Sequence, residues 1–234
     1  MDWDKESDLF VRKNQVLIGF SFMSLFFVFL YILINFENHT FYKKIFDVVY
    51  NLSIAMLSSA IFYIFIVYIP ERKRSLILRS QLKEKYHDFK LECIYLFFRC
   101  TSVLNDNGCR PEATHLTDIR EFRSFFKEPV NSYRSRWALV FDSFYHGEKC
   151  RKQLEIEIGY FLKEIEFILV KLDFDEDDEL RFFKSMSSSL GRFSNGVDDD
   201  LKTLFRLLWE LFAAWSWVDG YYEEDFVIKR IDAY

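Results

Sequence analysis

The sequence predicts an all-α protein, built as an N-terminal two-helix transmembrane hairpin followed by a cytoplasmic helical bundle. Three observations predict it. Two uncharged runs of 23 residues each, Asn14 to Phe36 and Val48 to Pro70, lie close together early in the chain. The 234 residues include only 7 Gly and 3 Pro, too few for the many tight turns of a β-sandwich or barrel. Beyond the second run, apolar residues recur at alternating spacings of four and three, the period of a helix with one buried stripe.

Each uncharged run would extend about 34 Å as a helix, enough to cross about 30 Å of hydrocarbon with slight tilt. Residues 14–36 and 48–70 are therefore assigned as spans. A cleaved signal sequence fits the first run poorly. Its apolar core is too long, and the preceding residues 1–13 carry four acids beside three bases. Residues 37–47 are read as a short extracytoplasmic loop that makes the spans antiparallel neighbours.

Orientation follows from Lys and Arg near the span ends. The loop has only Lys43 and Lys44, whereas the segment after the second span opens with Arg72, Lys73 and Arg74 and adds Arg79, Lys83, Lys85 and Lys90. The positive-inside rule then places both termini in the cytoplasm, with residues 1–13 and 71–234 on that side. Phe41 and Tyr42 suit an aromatic belt at the outer interface, Trp3 and Tyr68 one at the inner. Arg72, Lys73 and Arg74 should attract anionic headgroups at about 1 kcal/mol each. The basic balance is local: residues 71–104 carry eight bases and four acids, residues 105–234 carry 18 and 26. The overall charge of −5 provides no global footprint for nucleic acid.

Neither span contains Asp, Glu, Lys, Arg or His, the groups that usually mark proton relays and ion-coupled transport. Ala55, Ser58 and Ser59 form a small-residue patch suited to close helix approach, either within the hairpin or between copies of the chain.

In the bundle, Leu82, Tyr86, Phe89, Cys93, Leu96, Cys100 and Val103 form one stripe, and Leu154, Ile158, Phe161, Ile165, Ile168 and Leu172 a second. These seams fit an intramolecular bundle, with an intermolecular coiled coil as the alternative. A loop is expected over Asn105 to Thr117, with shorter helices over Asp118 to Lys127, Ser132 to Tyr145, and Asp177 to Leu190. A break is expected over Gly191 to Gly196, then a final helix from Asp198 to Val218 with Asp198, Asp199 and Asp200 in its first turn. Trp209, Trp215 and Trp217 on that helix are candidate core or partner contacts. The four cysteines, Cys93, Cys100, Cys109 and Cys150, lack zinc-site spacing and are expected as free thiols in a reducing compartment.

No compact signature of phosphate binding, acyl transfer or zinc hydrolysis occurs, and the four histidines are scattered. No catalytic residue, metal ligand, cofactor or small-molecule substrate is assigned, although a membrane-bound enzyme with an unrecognised site stays open.

The two spans followed by Glu71-Arg72-Lys73-Arg74 and a larger helical part resemble, in architecture, the two-span membrane effectors of bacterial antiphage defence, including those encoded beside retrons. That resemblance implies a location in the bacterial inner membrane, a cytoplasmic part held silent by a protein or nucleoprotein partner, and spans that self-associate and damage that membrane once released. The alternative is a non-toxic anchor or scaffold that recruits a cytoplasmic partner.

Overall fold

A computed structural model describes residues 15–33, 40–101, 112–131, 134–172, 177–194 and 201–232. The chain divides into two compact units, residues 1–74 and residues 75–233. The described residues are predominantly helical, as the low Gly and Pro content predicts.

In the first unit, α1 (Gln15–Leu33) pairs with α2 (Thr40–Tyr63). Helix α2 starts earlier than the sequence predicted, taking in residues read as loop. Both helices are long and apolar enough to cross a membrane. Among the described residues most of their apolar surface is open: Phe22 is 68% and Phe29 60% exposed. In water such a surface would be a severe liability; against lipid it is the surface required.

A π-helical turn over Ile64–Tyr68 follows, in which the Ile69 N–H reaches back to the Ile64 carbonyl. It precedes Pro70, whose ring in an unbroken α-helix would strike the carbonyl four residues back. The one-residue register shift of the π turn lets helical backbone continue through the proline into α3 (Ile69–Cys100).

The second unit continues with a 3₁₀ turn (His115–Thr117), α4 (Ile119–Lys127), α5 (Arg136–His146), α6 (Glu148–Lys171), α7 (Asp177–Ser194), α8 (Leu201–Phe212) and α9 (Phe226–Asp232). Two short antiparallel ribbons interrupt them, β1 (Pro129–Asn131) with β2 (Arg134–Ser135), and β3 (Trp215–Ser216) with β4 (Gly220–Tyr221). Helix starts follow ordinary capping chemistry. The Asp118 carboxylate accepts from the backbone N–H groups of Arg120 (2.8 Å) and Glu121 (3.2 Å), and the Ser135 hydroxyl from that of Ala138 (3.3 Å).

The two predicted stripes meet. Phe89 of α3 and Phe161 of α6 stack with centroids 4.1 Å apart, and all six residues of the α6 stripe are buried, so the seams serve an intramolecular core. At its centre Phe97 is fully enclosed by the rings of Trp137 (5.4 Å), Phe144 (5.8 Å), Phe126 (6.0 Å) and Phe205 (6.1 Å).

Four expectations are corrected. The helix predicted from Ser132 begins at Arg136, because the residues before it pair as the β1–β2 ribbon. The break expected over Gly191 to Gly196 does not begin at Gly191: α7 runs on to Ser194, with Gly191 in ordinary packing distance of Leu162 of α6, and residues 195–200 lie outside the described residues. The final helix stops at Phe212 rather than Val218. Ala214 takes a left-handed φ of 46°, and β3 and β4 pair across a three-residue loop closed by Gly220 at φ 78°. That loop geometry calls for glycine, and Asp219-Gly220 is a hairpin signal that outweighs the helical period of the tryptophans. Lastly, Cys100 and Cys150 are not free thiols. The end of α3 and the first turn of α6 bring their Cα atoms to 6.1 Å, and the sulfurs are bonded. Val103, Cys109, the expected loop up to Pro111 and Asp198 to Asp200 lie outside the described residues.

Candidate functional site

Two groups of residues stand out, one in each unit. The hairpin is the first. Helix α2 turns Ser53 and Ala60 toward α1, both buried, with Met56 and Leu57 half-buried between them. From α1, Ser24 is buried here and its hydroxyl lies 3.7 Å from the Met56 sulfur. Small residues at this seam let the backbones approach. The Ser21 hydroxyl donates to its own helix at the Leu17 carbonyl (2.8 Å), satisfying it without a partner helix.

Toward the α1–α2 connection, the Tyr31 hydroxyl donates to the Asp47 carboxylate (2.7 Å), while the Tyr31 and Tyr50 rings stack at 4.3 Å. In the sequence Tyr31 is distinguished only by lying within the first uncharged run. The signal was a phenol and a carboxylate at the loop-facing ends of two antiparallel helices. An intramolecular bond to Tyr31 holds Asp47 within the helix pair.

Ala55, Ser58 and Ser59 are exposed, on the side of α2 that α1 leaves open, and Asn51 is exposed with them. The hairpin therefore does not use the predicted patch for its own packing. Past the π turn, Lys73 and Arg74 are exposed and Arg72 is half-buried, all in the first turns of α3.

The second group is polar and enclosed. Lys90 of α3 is 1% exposed, its ammonium 3.7 Å from Asp225 Oδ2 and 5.8 Å from each of the Phe122 and Phe212 ring centroids. Burial pushes Lys90 down to about 8 from 10.5, against the opposing pull of the Asp225 carboxylate. The Tyr86 hydroxyl donates to the Leu211 carbonyl (3.0 Å), with Asp225 Oδ2 3.3 Å away. Burial first, then the Asp225 charge, push the Tyr86 phenol well above 10. Asp225 also caps α9, its Oδ1 accepting from Val227 N–H (3.0 Å) and Ile228 N–H (3.3 Å). Arg123 of α4 closes the same region, donating to the carbonyls of Ala213 (2.6 Å) and Tyr222.

No protein family, curated protein or solved structure matches the chain.

The second group has to be read from its own geometry. A lysine near pKa 8 beside a tyrosine and an aspartate has the ingredients of acid–base chemistry. Here every one of them is turned inward onto backbone or aromatic rings, so the arrangement ties α3 and α4 to the ribbon and α9. In the sequence Lys90 is one of the several bases that follow the second uncharged run. Its position between Phe89 and the Cys93 of the buried stripe was the available signal.

The three tryptophans separate. Trp209 packs against the core beside Trp137 (5.1 Å) and Phe122 (5.8 Å). Trp215 is half-buried in β3. Trp217 is 61% exposed in the ribbon loop, next to Val218 at 90%. The Trp217 indole N–H donates to Glu210 (2.8 Å), and the Arg206 guanidinium lies 3.5 Å from its ring centroid. Arg206, Glu210 and Trp217 line a cavity of about 270 Å³ together with Ser189, Phe193 and Leu204. Among the described residues no cluster of His, Cys, Asp or Glu is arranged to hold a metal ion.

Proposed function

We propose that this chain is an inner-membrane effector of antiphage defence: its hairpin self-associates and breaches the bilayer, and residues 71–234 are cytoplasmic, controlled by a protein or nucleoprotein partner. The observation that carries this reading is the open face of α2. Asn51, Ser58 and Ser59 direct hydrogen-bonding groups away from α1. A second helix would offer such groups partners in hydrocarbon, at roughly 0.6 to 2 kcal/mol per contact. Two helices are too few to enclose a pathway, so a breach requires several copies, and this face is where they would meet. Lys73 and Arg74, exposed at the start of α3, supply a headgroup anchor on the inner side.

A non-toxic scaffold is the second reading, and the exposed Trp217 and Val218 favour it, since an aromatic and an aliphatic tip suit a protein partner. One experiment separates the two. Overexpression in bacteria carrying a potential-sensitive dye is expected to depolarise the membrane and arrest growth. Replacing 14–70 by an unrelated two-span hairpin is expected to abolish both effects. Polarised, growing cells at verified expression would overturn the effector reading. Retention of partner binding by the hairpin-exchanged chain would support the scaffold.

A further inference from the structure

Cysteine supplies the observation. Cys100 is the last residue of α3, and Cys150 sits in the first turn of the 24-residue α6; both are half-buried and they are joined as a disulfide. Cys93 is different. It is fully buried, and its thiol is pushed well above its ordinary value by burial, so it is chemically quiet.

The surroundings of Cys150 are those of a reactive thiol. The N-terminal end of a helix favours a thiolate, and Lys149, Arg151 and Lys152 neighbour it in sequence. Glu148 is the one acid in this turn, and its carboxylate is engaged with the Lys152 ammonium at 2.7 Å. Position 147 is glycine. A Cβ there would sit 2.6 Å from the Ser143 carbonyl oxygen, so a side chain at 147 would have to displace the backbone that leads into the Cys150 turn.

We propose that Cys100 and Cys150 form a reversible thiol–disulfide site, with Cys150 the sulfur that exchanges with a small-molecule disulfide of the glutathione type. The proposal rests on the reading that residues 71–234 face a reducing cytoplasm, where a persistent structural disulfide is unusual. Starting from two thiols, the Cys150 thiolate attacks one sulfur of the small disulfide, forming a mixed disulfide and releasing one small thiolate. Cys100, its proton passed to that thiolate, attacks the Cys150 sulfur and expels the second. The protein loses two electrons and two protons, and the small disulfide becomes two thiols. The bond formed spans a sequence separation of 50 and closes over α4, the β1–β2 ribbon and α5, which carry Phe122, Phe126 and Trp137 of the core. Oxidation therefore clamps this segment covalently, and reduction leaves it held by packing alone.

The test uses the full chain in detergent micelles, carrying Cys109→Ser, equilibrated in glutathione buffers from fully reduced to fully oxidised, quenched with maleimide and weighed by mass spectrometry. The Cys100–Cys150 bond is expected to form and break within that series, with the reduced form unfolding about 5–10 °C lower. In oxidised glutathione, Cys100→Ser is expected to take up one glutathione at Cys150 at least about 10-fold faster than Cys150→Ser does at Cys100. A bond that yields only after unfolding, thiols that stay reduced in oxidised glutathione, or faster uptake at Cys100 would overturn the proposal. A membrane-impermeant maleimide applied to intact cells tests the orientation separately. Labelling of Cys150 from outside would sink the cytoplasmic reading, whatever the glutathione series gives.

Discussion

Asp225→Asn is expected to destabilise the second unit at pH 7 and much less at pH 9.5. Asparagine still caps α9 through its side-chain oxygen, so the cap contributes little to the loss. What is lost is the carboxylate 3.7 Å from a lysine that is almost wholly enclosed, leaving a buried ammonium among Phe122 and Phe212. Because pH 7 lies only about one unit below the folded Lys90 pKa of about 8, the lysine can respond by releasing its proton, which holds this part of the loss to about 1.4 kcal/mol. The pH dependence follows from Lys90. Its folded pKa, about 8, lies below the ordinary 10.5, so between those values the unfolded chain holds a proton that the folded chain has released. Stability from this group therefore rises with pH across that window, by up to about 1.4 kcal/mol per pH unit. Tyr86 acts oppositely. Its raised pKa means that above pH 10 the unfolded chain loses a proton the fold retains, and stability falls. Asp118 and Arg123 also act on Lys90, with opposite signs, and both are left in place. The companion Lys90→Met is expected to flatten the rise between pH 8 and 10. Thermal unfolding of the full chain in micelles, followed by tryptophan fluorescence, measures both. An Asp225→Asn penalty that does not shrink with pH would show that Lys90 is not its source.

Phe97→Ala is expected to cost about 3–5 kcal/mol, since it removes a fully buried ring from a site whose neighbours are themselves large rings. Trp137, Phe126, Phe144 and Phe205 come from three other helices, α4, α5 and α8, and all four contact this side chain. Rigid rings close poorly over the void, which puts the loss toward the upper end and lowers the unfolding midpoint by roughly 10 °C. The contrasting case is Phe167→Ala on α6. Phe167 is exposed, and its loss is expected to stay within about 0.5 kcal/mol. Equal effects from the two substitutions would mean that the aromatic centre is not where the stability resides.

The long helices were legible because they rest on periodicity and length. The stripes through Phe89 and Phe161 named the faces that stack, and two uncharged runs named the hairpin helices. Short-range geometry was not legible in the same way. Trp215 and Trp217 continue a helical period, and only Asp219-Gly220 marks the turn that takes them out of the helix. Gly191 reads as a breaker because glycine is a poor helix former, yet α7 runs through it to Ser194, held by packing that overrides the local propensity. Long-range pairing was legible least. Nothing in the spacing of Cys100 and Cys150, or of Lys90 and Asp225, shows that α3 meets both the start of α6 and the end of the chain. The candidate face of α2 was half legible: Ala55, Ser58 and Ser59 stood out as small residues, but whether they turn toward α1 depends on Ser53 and Ala60 occupying that seam.

The account rests on α1 and α2 lying within a bilayer. Membranes from expressing cells, washed in alkaline carbonate and then floated through a sucrose gradient, test it most directly. The full chain is predicted to rise with the lipid. Recovery in the carbonate supernatant, or at the bottom of the gradient apart from lipid, would contradict it.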